Sequence, residues 1–344
     1  MVSVMELDVE NREAIRPSHY PDFSELGYQV IRELGRNQVE GRITYLAQVC
    51  KSHQQVVIKE FNFAHTSADW SGLKSYEREI EILQQLDHPR IPRYIDSFEM
   101  PNYFYLVQEY KNAPSLGLKR SFSPEEVKQI AVSILEILVY LQQRPDPIIH
   151  RDIKPENILV DEHLNAYLVD FDLARLEGVK VALSSFASGT PGFMPPEEQL
   201  GHALTQASDL YSLGVTLICL LTNTSSVDIG QLIDHRYRFD FQKLFPQLNP
   251  RFKSWLMKLV KSKCKYRYAN AALALKALKA IEFTGHYTNT DTLAAAMKWR
   301  QKTAFLRIAM LGMMAVAITT LLVFQPGLDK SPKDAIHRVS TSKP

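Results

Sequence analysis

A base, a cation and two oxygen ligands stand at fixed separation in His150-Arg151-Asp152-Ile153-Lys154-Pro155-Glu156-Asn157, followed thirteen residues after Asn157 by Asp170-Phe171-Asp172. Phosphoryl transfer passes through a charge-diffuse transition state, so catalysis there is mostly positioning and neutralisation. It needs one carboxylate to take the proton of the attacking hydroxyl and two oxygen ligands for a hard divalent cation. Asp152 has the chemistry of the base; Asn157 and Asp170 have that of ligands for Mg2+. Asp-Phe-Asp alone carries little information, whereas eight fitting residues in one run are rarely accidental.

This stretch resembles the catalytic loop and metal-binding motif of the eukaryotic-type Ser/Thr protein kinases. The resemblance covers about residues 28 to 282 and implies an α+β, bilobal fold, with an antiparallel β-sheet and helix C in the N-lobe and a mainly α-helical C-lobe. It implies ATP as phosphoryl donor, Mg2+ or Mn2+ as the metal, and protein Ser or Thr hydroxyls as acceptors. Lys154, two residues after the base, is the family's mark of Ser/Thr specificity, because its ammonium can reach the transferring group.

The elements that position these groups are expected upstream in a set order. Val56-Val57-Ile58-Lys59 ends a β-branched run that reads as a strand and is similar to the family's strand-three motif, with Val57 in place of alanine. The resemblance then makes Lys59 the residue that holds the α and β phosphates. Tyr76 to Leu86 has helical periodicity, with Glu79 and Leu83 on one face, and Glu79 is the implied partner of Lys59. Glu77 and Glu81 are nearby competitors for that role.

Leu34-Gly35-Arg36-Asn37-Gln38-Val39-Glu40-Gly41-Arg42-Ile43 stands at the family's phosphate-covering loop, but it has one residue more than the family pattern and lacks the middle glycine. Glycine there lets backbone approach phosphate without a Cβ, and Asn37 is the least unfavourable substitute at the turn. Gly35, Asn37 and Gly41 are therefore expected around the phosphates. Further along, Leu106-Val107-Gln108-Glu109-Tyr110 resembles the strand entering the hinge between lobes, which makes Gln108 the gatekeeper and assigns the adenine edge to backbone groups of Glu109 to Lys111. Ile43 and Val57 are expected above the base and Leu159 below it. Asp172 replaces the family's glycine, a change expected to act on conformational freedom before catalysis.

The activation segment runs from Asp170 to Pro195-Pro196-Glu197, a match to the family's Ala-Pro-Glu. Within it lie Ser184, Ser185, Ser188 and Thr190. A phosphate on one of the serines is expected to pair with Arg151 and order the loop, regulating the enzyme. Thr190 fits the architectural position that contacts Asp152 and Lys154. Asp209 matches the residue that braces the catalytic-loop backbone, and Arg267 the partner of Glu197, a pair costly to break from one side.

With 344 residues and 45% hydrophobic composition the chain can bury a large core. A net charge of +2 gives no argument for nucleic acid as a partner. Cys50, Cys219 and Cys264 lack metal-ligand spacing and fit reduced thiols of a cytosolic compartment. The N-terminus has no signal-peptide pattern.

Composition changes abruptly at Ile308–Phe324, seventeen residues without one charge. At about 1.5 Å per residue this run spans about 25 Å, and with residues 304–307 about 31 Å, close to the hydrocarbon thickness of a bilayer. A buried helix is the competing reading, but no domain remains to receive it. The expected organisation is an N-terminal extension (1–27), a kinase domain (28–282), a juxtamembrane linker (283–303), a single transmembrane helix through the lipid bilayer (304–324) and a short disordered tail (325–344), with the catalytic head cytoplasmic. This layout is reminiscent of bacterial, membrane-anchored members. No motif sets an oligomeric state. The functional expectation is a membrane-tethered signalling kinase that phosphorylates Ser/Thr of proteins; the alternative is a pseudokinase or nucleotide-binding scaffold at the membrane.

Overall fold

The computed structural model describes residues 20–37, 41–62, 73–178 and 190–283. Among these, β-branched and aromatic alternation in the first third produces a five-stranded antiparallel sheet: β1 (Tyr28–Asn37), β2 (Arg42–Val49), β3 (Gln55–Asn62), β4 (Tyr94–Met100) and β5 (Tyr103–Glu109), in the order β1-β2-β3-β5-β4. Period-two alternation splits β3 between two faces. Val56 and Ile58 join Tyr28, Tyr45 and Tyr105 in one apolar layer, where Phe23 is also enclosed, 4.8 Å from the Tyr105 ring. The packed unit thus takes in residues ahead of position 28. Val57 and Lys59 face the opposite way, over the interlobe cleft. Helix α1 (Leu73–Gln84) follows β3 and buries Glu79, Ile82 and Leu83.

The remainder is mainly helical: α2 (Pro124–Gln142), α3 (Pro196–Gln199), α4 (Ser208–Thr222), α5 (Phe241–Leu244), α6 (Pro250–Leu259) and α7 (Ala271–Lys279). A capping box starts α2, the Ser123 side chain accepting from the Glu126 backbone while the Glu126 carboxylate accepts from the Ser123 backbone, with Pro124 preset at the first turn. Every residue of α4 is buried, as an all-round apolar helix requires. Its few polar groups turn toward the loops that carry the chemistry: Ser212 Oγ donates to the Phe193 carbonyl (2.8 Å) and Thr216 Oγ1 to that of Ile153 (3.2 Å). Gly214 lets α6 approach, since a Cβ there would lie 2.5 Å from Val260 Cγ1.

Two short hairpin-like pairs frame the key loops. β6 (Ile148–Ile149) pairs with β9 (Arg175–Leu176), and β7 (Ile158–Val160) with β8 (Ala166–Leu168). Residues 150–157 join β6 to β7, and 170–172 lie between β8 and β9. The expected membrane helix (304–324), the tail and most of the linker, together with Ser184, Ser185 and Ser188, lie outside the described residues. Among the described residues no single helix is long and apolar enough to cross a membrane.

Candidate active site

The loop after β6 is built around Asp152, which is 7% exposed. Its Oδ2 accepts from Asn157 Nδ2 (2.7 Å) and pairs with Lys154 Nζ (2.8 Å), and its Oδ1 accepts from Thr190 Oγ1 (3.3 Å). Lys154 Nζ also donates to Thr190 Oγ1 (2.9 Å), so the activation segment ends against the base. The loop is held from beneath by Asp209 of α4, whose carboxylate accepts from the backbone N–H of His150 (2.8 Å) and Arg151 (2.9 Å). Arg151 has a left-handed backbone (φ 70°), a conformation costly for a non-glycine residue, and the Asp209 bonds help maintain it. Burial pushes the Asp209 carboxyl up to about 6 despite those two donors. Burial likewise raises Asp152, an effect that Lys154 opposes and the charge of Asp170 reinforces.

Lys59 stands at the meeting point of both lobes. Its ammonium lies 2.8 Å from Glu79 Oε1, 2.7 Å from Asp170 Oδ1 and 3.4 Å from Asp172 Oδ1. These three carboxylates lie within 4.8 Å of one another, and the cation they enclose is the lysine itself. Burial disfavours the ammonium, but Asp170 and Glu79 outweigh it and hold Lys59 above its ordinary value. Burial would also push Asp170 up; Lys59, with Arg42 and Lys154, reverses that and holds it at about 2, fully ionised at neutral pH. Glu79 is raised by its burial, and its Oε2 has no partner among the described residues. Asp172, at the expected glycine position, pairs with Arg42 of β2. The left-handed residue of this triplet is Asp170 (φ 70°), so position 172 does not demand a glycine backbone.

A cleft of about 670 Å3 lies beside this cluster. Gly35, Val57, Lys59, Gln108, Lys111, Asn157, Leu159 and Asp170 of the expected set line it. Ile43 does not: it pairs with Glu60 on β3 and packs against the aromatic layer on the far face of the sheet. Thr44, opposite Lys59, is the β2 residue that faces the cleft. Ile43 and Thr44 are successive residues of one strand and so face opposite sides of the sheet, and the pairing of β2 with β3 sets Thr44, not Ile43, opposite Lys59. Counting back from Lys59 rather than forward from Gly35 would have found Thr44. Asn37 ends β1 opposite Arg42 without positive φ, whereas Gly41 has φ 62°, so it is Gly41 that uses glycine's freedom. Neither residue lines the cleft among the described residues. Glu109 is also outside the lining; its carboxylate is engaged by Lys111 Nζ (2.7 Å) and Arg93 Nε (3.4 Å), and its backbone N–H by the Arg93 carbonyl.

Arg151 is placed differently from its expected role as a phosphate receptor. Its Nε donates to Glu198 Oε1 (2.9 Å), its Nη2 to the same oxygen and its Nη1 to the Leu173 carbonyl (3.1 Å). Glu198 had no motif signal, being simply the second of two glutamates after Pro196. Glu197 accepts both Nη1 (2.6 Å) and Nη2 (2.7 Å) of Arg267.

The donor set suits a hard cation. Asn157 commits its amide N–H groups to the Asp152 side chain (2.7 Å) and carbonyl (3.0 Å), which leaves its amide oxygen as the atom available to a ligand, and ionised Asp170 lines the same cleft.

Comparison with known proteins agrees with this geometry. The protein kinase domain family matches residues 28–277. Serine/threonine-protein kinase D of Synechocystis sp. is 32% identical over 273 residues, 75% of this chain and 53% of that protein. Serine/threonine-protein kinase C of the same organism is 32% identical over 287 residues, 76% of this chain and 50% of its own length. Serine/threonine-protein kinase PrkC of Bacillus subtilis is 30% identical over 206 residues, 58% of this chain and 31% of its own length. The chain spans half or so, or less, of the length of these curated relatives. A match over most of the chain, at the residues that build the cleft and its loop, establishes that the chain belongs to the protein kinase domain family, in its eukaryotic-type Ser/Thr branch.

Proposed function

We propose that this chain transfers the γ-phosphoryl group of ATP to Ser or Thr hydroxyls of protein substrates. The observation that carries the reading is the junction of Asp152, Lys154, Asn157 and Thr190 at one end of a cleft whose other wall holds Lys59, braced by Glu79. In the reaction the substrate hydroxyl oxygen forms the new bond to the γ-phosphorus as the bond to the β–γ bridging oxygen breaks, ADP leaves, and the hydroxyl proton passes to the Asp152 carboxylate. Lys59 orients the α and β phosphates, and Lys154 neutralises charge on the transferring group. Asp170 and Asn157 would hold Mg2+, which would supply the remaining charge neutralisation. Leu159 and Val57, on opposite sides of the cleft, enclose the base, and Gln108 sets the depth of its pocket.

A scaffold without catalysis is disfavoured by the same observation, since each polar group the chemistry needs is present and paired. Incubation of the whole chain with γ-labelled ATP, Mg2+ and a general protein acceptor is expected to label Ser and Thr. Lys59→Met should lower that incorporation at least about a hundredfold, as loss of a transition-state electrostatic contact does. Equal labelling by both proteins would end the proposal.

We further propose that residues 304–324 tether the head to a membrane as a single pass, with the kinase domain on the cytoplasmic side where ATP is found. The support is the charge-free run 308–324, preceded by Lys298, Trp299, Arg300, Lys302 and Arg307. The whole chain is expected in the membrane pellet and resistant to high-salt extraction, and a variant lacking 304–344 in the supernatant. Recovery of both in the supernatant would remove the tether.

A further inference from the structure

Arg151 precedes the base, and its guanidinium is enclosed. The Arg151 and Glu198 side chains are 1% and 3% exposed. Nε and Nη2 converge on one Glu198 oxygen while Nη1 reaches the Leu173 carbonyl. Those contacts fix two separate points of the chain. Leu173 directly follows Asp170-Phe171-Asp172, and Glu198 lies in α3 at the far end of the same segment. One side chain thus ties both ends of the activation segment to the loop that carries Asp152.

An anion delivered by phosphorylation of a segment serine would serve the same purpose, but here the place is taken. To reach Arg151 a phosphate would have to expel the Glu198 carboxylate, leaving a buried charge without its partner, which is the costly way to break such a pair. Arg175 of β9, the neighbouring cation, donates to the carbonyls of Ala174 (2.6 Å) and Asp172 (3.4 Å), and its charge is also favoured by Glu198.

We propose that Glu198 is a positioning residue that supplies from within the fold the anion for Arg151, so that the catalytic loop is set without a phosphate on residues 179–189. The proposal rests on the kinase reading above. It makes the enzyme active as synthesised, with control exerted elsewhere than on this segment.

The test uses the whole chain and three measurements. Wild type treated with a Ser/Thr phosphatase, its phosphate-free state checked by mass spectrometry, and the variant Ser184→Ala/Ser185→Ala/Ser188→Ala should each keep kcat within about threefold of the untreated protein. Glu198→Gln should lose kcat by about tenfold or more while KM for ATP stays within about threefold, because the nucleotide cleft does not include position 198. Glu198→Asp, keeping the charge, should recover part of the loss, a result that filling of space alone would not give. Binding of a fluorescent ATP analogue checks that Glu198→Gln is folded. If it is not, the phosphatase and triple-serine measurements still decide. Loss of activity on phosphatase treatment or in the triple-serine variant overturns the role of Glu198 and leaves the kinase reading intact. Absence of phosphotransfer in the untreated wild type overturns both.

Discussion

Asp152→Asn is expected to lower the rate of phosphotransfer by about 10²- to 10⁴-fold, the usual contribution of a positioned general base, with nucleotide affinity little changed. Asparagine is isosteric; its single amide oxygen can still accept from Asn157 Nδ2, while its amide N–H takes the place of the oxygen that accepts from Thr190 Oγ1 and can donate to that hydroxyl instead. What it cannot do is take the hydroxyl proton or balance Lys154, 2.8 Å away. The loss should therefore fall on kcat, because the interaction removed belongs to the transition state. A pH profile adds a second signature. Burial holds the Asp152 carboxyl above its ordinary value, helped by the negative charge of Asp170 and opposed by Lys154 and Asn157. As pH falls through that raised value the base is protonated and the rate declines, so the acid limb lies above the range of an unperturbed Asp, near 3.9. The residual activity of Asp152→Asn should lack that limb. Initial rates with labelled ATP between pH 5 and pH 8 check both points, and an unchanged kcat would remove Asp152 as the base.

The contrast between Asp152 and Thr44 shows what was readable in the chain. Asp152, Lys154 and Asn157 sit within one eight-residue stretch, so their mutual geometry follows from a local turn; periodicity placed Lys59 on a strand and Glu79 on a helix, and the resemblance singled them out from their neighbours. The antiparallel sheet and the mainly helical half were implied by the resemblance of the catalytic loop rather than by periodicity along the whole chain, and the number of strands was not. Thr44 depends instead on the register of β2 against β3, which sets it opposite Lys59 and turns its neighbour Ile43 to the other face, away from the cleft. Phe23 and Glu198 were illegible for a different reason. Each acts only through a partner distant in sequence: Phe23 through Tyr105, and Glu198 through Arg151, across a separation of 47 residues. Nothing local distinguishes such a residue from a surface neighbour. Asp172 is intermediate. Its departure from glycine was visible, but its accommodation depends on Asp170 taking the left-handed backbone and on Arg42 arriving from β2.

Arg267→Ala should be the most destabilising single change, by about 3 to 5 kcal/mol, because it leaves the Glu197 carboxylate buried without its counterion. The arginine uses its whole fork. Nη1 and Nη2 hold Glu197 (2.6 and 2.7 Å), Nη1 also reaches the Ala207 carbonyl (3.0 Å), Nε the Lys261 carbonyl (2.7 Å) and Nη2 that of Ser262 (3.3 Å), with the guanidinium 4.9 Å from the centre of the Tyr211 ring. The Arg267 side chain has no exposed surface and that of Glu197 is 9% exposed, so water cannot take over these bonds. Arg267→Lys should recover little, since a point ammonium cannot satisfy both carboxylate oxygens and three carbonyls from one position. Arg267→Ala with Glu197→Gln should be less damaged than the sum of the single changes, because the unpaired charge is then absent. Urea unfolding of wild type, Arg267→Ala, Arg267→Lys, Glu197→Gln and the double variant measures this as lower midpoints at similar slope. The damage should also reach the reaction: Glu197 accepts from Ser208 Oγ (3.0 Å), and the next residue, Asp209, holds the backbone of His150 and Arg151. Activity of Arg267→Ala should then fail at a lower temperature than nucleotide binding does. Strict additivity in the cycle would mean that the pair contributes no coupling, and the path from Arg267 to the catalytic loop would have to run through packing on Tyr211 instead.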